Sequence, residues 1–170
     1  VLISAGRLPE ALSHLKHLLE SREYVSIAAE ARFKIYEVYN SLHEDQKAFN
    51  YLEQAATSDV KKLNQRSRGY AARAAFLMTE SSFGTFIGIK LELPEEKLKA
   101  STKKKLDLLE HLVTRYTKVV SYGDGEWGIA ALERLYDAFT IFSLELENSP
   151  IPDKYQAEKR ENYVRGIRSI

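Results

Sequence analysis

The chain has no cysteine among its 170 residues. Disulfides, thiolate catalysis and cysteine-ligated zinc or iron–sulfur centres are therefore excluded. Proline and glycine are sparse, at 4 and 8 residues, and strand-rich folds need more turn punctuation than that. Neither sign of charge dominates: 25 lysines and arginines stand against 24 aspartates and glutamates. A nucleic-acid partner would call for a basic stripe, so none is expected. No apolar run approaches the ~20 residues that span a bilayer, and no signal peptide is visible. The chain opens at Val1, inside a helical pattern and without an initiator methionine. It is read as a piece of a longer protein, with any targeting segment outside it.

What is present is a folded composition, 44% apolar and 29% charged, rather than a disordered one. It carries a weak internal repeat. Ala11-Leu12-x-x-Leu15-x-x-Leu18 reappears 37 residues later as Ala48-Phe49-x-x-Leu52-x-x-Ala55. A small residue followed by large apolar residues four and seven positions on marks one helix face, and the small residue admits a neighbouring helix closely. A second element alternates with the first. Ala31-Arg32-x-x-Ile35-Tyr36 returns as Ala72-Arg73-x-x-Phe76-Leu77, and again as Ala131-Leu132-x-x-Leu135-Tyr136-Asp137-Ala138-Phe139. A helix–turn–helix unit is used several times.

The pattern predicts helices at about 9–21, 25–42, 45–57, 59–83, 94–121, 125–147 and 153–168. Pro94 suits a first helical turn, Gly123 a helix stop, and Asp124 an N-cap. Ser149-Pro150-Ile151-Pro152 breaks the chain before the last segment. The predicted core is Leu15, Leu18, Ile35, Tyr39, Leu52, Phe76, Leu112, Tyr116, Val119, Leu135 and Phe139. The fold class read from this is all-α, a right-handed α-solenoid of stacked helix–turn–helix pairs. It forms one repeat domain over 1–170, with repeat halves near 1–21, 25–57, 59–121 and 125–168.

No catalytic constellation is legible. His14 and His17 stand three apart on a helix, a spacing that can ligate metal, but no further ligand has a readable spacing. Gly123-Asp124-Gly125-Glu126 lacks the lysine of a phosphate loop and the alternating oxygens of a calcium loop. Glu95 and Glu96 complement a helix dipole. Lys103-Lys104-Lys105 reads as a solvated helix face, and Trp127 as a core residue packed under Tyr122. No enzyme activity, cofactor or metal is expected.

In a right-handed stack the first helix of each pair lines the concave surface. The predicted groove residues are Phe33, Lys34, Glu37 and Asn40 from one helix. Ala74, Ala75, Met78 and Ser81 come from the next, and Glu133, Arg134, Asp137 and Thr140 from the last. Small and apolar centrally and charged at both ends, this lining suits an extended or helical peptide. The alternative is a self-assembling structural module whose apolar ends pack on copies of itself.

Gly6-x-Leu8-x-Glu10-Ala11-Leu12, with Leu15 and Leu18, resembles the second half of a tetratricopeptide repeat. The repeats are degenerate. Their spacing is 37 or more where ~34 is usual, and Tyr36, Leu77 and Tyr136 replace the usual first-helix glycine. The stretches Glu80-Ser81-Ser82-Phe83, Phe86-Ile87-Gly88-Ile89-Lys90-Leu91 and Leu93-Pro94 narrow the likeness. So do Tyr116-Thr117-Lys118-Val119-Val120, Gly123-Asp124-Gly125-Glu126-Trp127-Gly128-Ile129-Ala130-Ala131-Leu132 and Ser149-Pro150-Ile151-Pro152. Over about residues 70–165 the chain resembles the tetratricopeptide proteins linked to adventurous gliding motility in deltaproteobacteria. That resemblance implies a non-enzymatic, protein-binding scaffold of the cell envelope, periplasmic, serving motility or envelope machinery.

Overall fold

Six α-helices make up most of the regular structure among the described residues, joined by two short 3-10 turns. The computed structural model describes residues 7–151, 161–162 and 165–166. The helices are α1 (Leu8–Glu20), α2 (Ala28–Ser41), α3 (Asp45–Ala56), α4 (Gln65–Gly88), α5 (Glu95–Ser121) and α6 (Gly125–Glu147). The predicted helix at 153–168 lies almost wholly outside the described residues. All-helical is thus the architecture the chain adopts where it is described.

Contacts divide the chain into two compact units. Unit 1 comprises Val1–Thr79 and Arg115–Leu132, and unit 2 comprises Glu80–Thr114 and Glu133–Ile170.

In unit 1, α2 packs between α1 and α3. Its burial follows from that position: Ala29, Ala31, Phe33, Ile35, Val38 and Tyr39 are all buried, on more than one side of the helix. Ile35 and Tyr39 join Ala48 in a cluster covered by Leu12, Leu15, Leu19 and Tyr51. On α3 the buried set is Ala48, Leu52, Ala55 and Ala56, one helical stripe. The small residues of the second repeat, Ala31, Ala72 and Ala131, are each buried. Two of the residues four places on, Ile35 and Phe76, are buried as well, at roughly 1.5–3 kcal/mol each for such side chains. Tyr116, packed on Phe76 at 5.7 Å between ring centroids, and Val119 bring α5 into this core.

The ends of these elements have identifiable causes. Ser21 accepts from the Glu23 N–H and opens a 3-10 turn at Arg22–Ile27, where an α-helical start is predicted. His43 takes a left-handed φ of 57° and lets the Glu44 N–H reach the Tyr39 carbonyl at 3.0 Å, closing α2. Asp59 caps a second 3-10 turn at Val60–Lys62. The side chain of Asn64 then accepts from the Ser67 N–H at 2.8 Å, so α4 begins about six residues later than its pattern predicts. Gly123, at φ 71°, ends α5, and Asp124 Oδ1 accepts from the Trp127 N–H at 3.0 Å to cap α6. Both are as the sequence predicts. Pro94 sits just before α5, its carbonyl accepting from the Leu98 N–H at 2.9 Å.

In unit 2, Phe86, Leu98, Leu109, Leu112, Ala138, Phe142 and Leu146 are buried. Phe86 meets Phe142 at 6.5 Å. This anchor carries α4 to Gly88, past its predicted end at 83. Phe139 departs from expectation. It is 53% exposed rather than core, because no described residue covers that side of α6. Leu15, Leu18 and Leu135 are half-buried. No helix among the described residues is long and apolar enough to cross a membrane.

Candidate functional site

Residues three or four apart share a helix face. On α2, Glu30, Lys34 and Glu37 form such a stripe, and on α4 Arg66, Tyr70 and Arg73 form another. The two stripes meet rung by rung, and each rung joins residues 36 apart. Arg66 Nη2 lies 2.9 Å from Glu30 Oε1. The Lys34 ammonium stands 5.3 Å from the centre of the Tyr70 ring. Arg73 Nη1 lies 3.8 Å from Glu37 Oε1.

Aromatic rings underlie the cations. The Arg73 guanidinium stacks 4.8 Å from the Phe33 ring centre and 5.6 Å from that of Trp127. Phe33 in turn packs on Tyr70 at 5.5 Å, and Trp127 on Phe76 at 5.4 Å. Trp127 is half-buried, with Phe76 and Arg73 as its ring neighbours. Tyr122, expected beside it, is buried and donates its hydroxyl hydrogen to the Ala56 carbonyl. A recess of about 460 Å³ opens among Arg66, Tyr70, Arg73, Asp124, Glu126 and Trp127.

The charge states follow from these neighbours. Burial alone lowers the Lys34 ammonium, but a 2.7 Å hydrogen bond and ion pair with Glu37 more than offset it, and Lys34 sits above the usual lysine value. The Tyr70 hydroxyl, then the Glu30 charge, raise Arg66 above its usual value. Arg73 Nε is buried with no acceptor among the described residues, so its guanidinium is held chiefly by stacking.

The predicted groove residues fall into two sets. In unit 1, Phe33, Ala74 and Ala75 are buried. They form the floor from within the core, so the half-buried Lys34, Glu37 and Met78 and the exposed Asn40 remain for contact. In unit 2, Arg134 donates to both carboxylate oxygens of Glu80 at 3.1–3.2 Å and to Asp137 Oδ2 at 3.4 Å. Its guanidinium also lies 5.2 Å from the Phe83 ring centre. Ser81 and Glu133 are exposed, and Thr140 is half-buried.

Sequence reasoning passed over Arg66, Tyr70 and Arg73 as surface residues and read Trp127 as core. The signal was there: Glu30 and Glu37 match Arg66 and Arg73 in opposite charge at one constant offset.

The remaining candidates stand as follows. His14 and His17 are exposed, with His17 Nδ1 at 3.5 Å from Glu20. Among the described residues no group of three or more His, Asp or Glu is placed to hold a metal. Lys103 and Lys104 are exposed, but Lys105 is fully buried, a correction to the solvated reading of that run. Its ammonium pairs with Glu145, donates to the Ile89 carbonyl at 3.0 Å and lies 4.7 Å from the Phe86 ring centre.

Compared with known proteins, the chain matches no family model, no curated protein and no solved structure.

Proposed function

We propose that this chain is a non-enzymatic scaffold that holds a peptide segment of another protein on the faces of α2, α4 and the start of α6. The observation that carries the reading is the Arg66–Tyr70–Arg73–Trp127 surface. The Arg73 guanidinium lies over the Phe33 and Trp127 rings, and the exposed Arg66 guanidinium pairs with Glu30, both beside an open recess. Arginine, tyrosine and tryptophan in this combination are the residue types that anchor protein interfaces. Of the recess carboxylates, Asp124 caps α6 through the Trp127 N–H.

The finer architecture belongs to the same proposal. A right-handed solenoid of degenerate tetratricopeptide-like pairs rests on the sequence repeat and its three buried alanines. A place in the bacterial cell envelope, with gliding-motility machinery as the setting, rests on the sequence resemblance alone.

Affinity capture from an envelope fraction, with wild type beside the Lys34→Glu/Arg66→Glu double variant, tests the reading. A protein retained by wild type and lost by the variant supports it. Identical retention removes the surface from consideration.

A second reading, self-assembly, has its own observation. On α6 Ile129, Leu132, Tyr136 and Phe139 recur at intervals of three and four and are 61%, 55%, 72% and 53% exposed. One helix thus presents an uncovered apolar stripe. Size measured across a concentration series separates the readings: growth with concentration favours copies of this chain on the stripe.

A further inference from the structure

A second cavity in unit 1, of about 400 Å³, lies away from the ladder and is built from α1, the 3-10 turn after it, α2, α3 and the turn that follows. Leu18, Leu19, Val25 and Leu63 supply apolar wall, and Lys62 and Arg32 supply positive charge. Arg32 is the unusual member. It projects from α2 and is half-buried. Its Nη1 donates to Ser58 Oγ at 3.0 Å, while the Ser58 hydroxyl donates onward to the Gln54 carbonyl at 2.9 Å. That is its one hydrogen bond among the described residues, and Nε is buried with no acceptor among them.

The arginines of the ladder meet carboxylates: Arg66 meets Glu30 and Arg73 meets Glu37. Arg32 meets none. Burial accordingly holds its guanidinium below the usual arginine value. Asp59 also lines the cavity, but its carboxylate is engaged by the Lys61 N–H at 3.2 Å and the Lys62 ammonium at 3.5 Å.

A half-buried guanidinium with no carboxylate paired to it is costly, and a guanidinium fork matches a carboxylate better than any other common anion except phosphate. Phosphate has no apolar body to fill the leucine-and-valine wall. We infer that this cavity binds a carboxylate carried on a compact apolar group, with the Nη donors of Arg32 taking the carboxylate, Lys62 adding charge at the rim, and Leu18, Leu19, Val25 and Leu63 packing the apolar part. A free small acid and the last residue of a peptide present the same chemistry.

The test is titration of the whole chain with phenylacetate and, in parallel, its uncharged counterpart phenylacetamide, followed by amide-resolved NMR. The expected result is saturable shifts around the cavity with the acid at least about tenfold tighter than the amide, a gap of ~1.4 kcal/mol. Arg32→Met is expected to abolish that preference while melting no lower than wild type, because it removes an unpaired cation and keeps the bulk. Asp59→Asn is expected to tighten acid binding by removing a competing carboxylate. A peptide ending in phenylalanine, with its terminus free or amidated, identifies the source. Binding of the free-terminus peptide points to a peptide end, and binding of phenylacetate alone points to a small acid. Equal binding of acid and amide to wild type, no saturable shift with either, or an unchanged preference in a folded Arg32→Met overturns the inference. Because the acid–amide comparison is made on wild type, it decides the matter even where a variant folds poorly.

Discussion

Gly69 stands against the carboxylate of Asp124: a Cβ at position 69 would lie 2.7 Å from Asp124 Oδ2. The other oxygen of that carboxylate caps α6 through the Trp127 N–H. Glycine inside a helix ordinarily costs ~0.5–1 kcal/mol against alanine, so Gly→Ala usually stabilises. At Gly69 the added methyl displaces the cap instead, and a lost cap costs ~1 kcal/mol. Gly69→Ala is expected to be neutral or destabilising by up to ~1 kcal/mol in denaturant unfolding. Gly84→Ala, also within α4 and with nothing within 4 Å of its added Cβ, is expected to gain ~0.5 kcal/mol. Equal gains at both positions would remove the close-approach argument.

The Lys105–Glu145 pair predicts an asymmetry. The Lys105 side chain is 0% exposed and that of Glu145 25%. Glu145→Ala strands a buried ammonium with the Ile89 carbonyl as its hydrogen-bond acceptor and is expected to cost ~3 kcal/mol. Lys105→Met fills the same volume and leaves a carboxylate that reaches water, so ~1 kcal/mol or less is expected. Urea melts of the two variants check the order. Equal costs would mean that the ammonium is hydrated.

Tyr122 predicts an alkaline effect. Burial raises its phenol above the ordinary value near 10. Between that value and the folded one, the unfolded chain has released the proton and the native chain still holds it. Native protein therefore binds more protons, and stability falls as pH rises through this window and is unaffected below it. Tyr122→Phe loses the hydrogen bond to the Ala56 carbonyl, ~1 kcal/mol at neutral pH. It is expected to flatten the loss of stability above about pH 10. Thermal melts of both proteins from neutral to alkaline pH measure it, and parallel curves would contradict the assignment.

The apolar stripe of α6 predicts surface behaviour rather than fold. Tyr136 is 72% exposed, so Tyr136→Glu is expected to change stability by less than ~0.5 kcal/mol. Any concentration-dependent growth of wild type in light scattering should diminish in the variant. Growth that is the same in both proteins would place self-association elsewhere.

Much of the helical order was legible because apolar periodicity and cap chemistry agreed. Gly123 and Asp124 mark one boundary through a positive φ and a side-chain cap, both local properties of their residue types. The starts of α2 and α4 were not legible. There Ser21 and Asp59 divert the backbone into 3-10 turns and Asn64 caps α4 only after the second, although the apolar pattern continues through them. Lys105 was misread because composition sees a charge run, whereas burial is decided by Glu145, 40 residues away. Phe139 repeats the spacing of a core residue, but a stripe is buried only where something covers it. The candidate surface was half legible. Lys34 and Glu37 were read from the face of α2 that carries the cross-helix pairs. On α4 the face was taken near Ala74 and Met78, although cross-helix charge pairing selects Arg66, Tyr70 and Arg73.

The most direct test of the scaffold is quantitative mass spectrometry of envelope proteins captured by immobilised wild type and by the Lys34→Glu/Arg66→Glu variant. The variant must first melt within about 3 °C of wild type, a shift too small to mark a loss of fold. The account predicts at least one protein retained by wild type and depleted about tenfold or more with the variant, the size expected when interface anchors are reversed. Equal recovery of every captured protein by the two would contradict it.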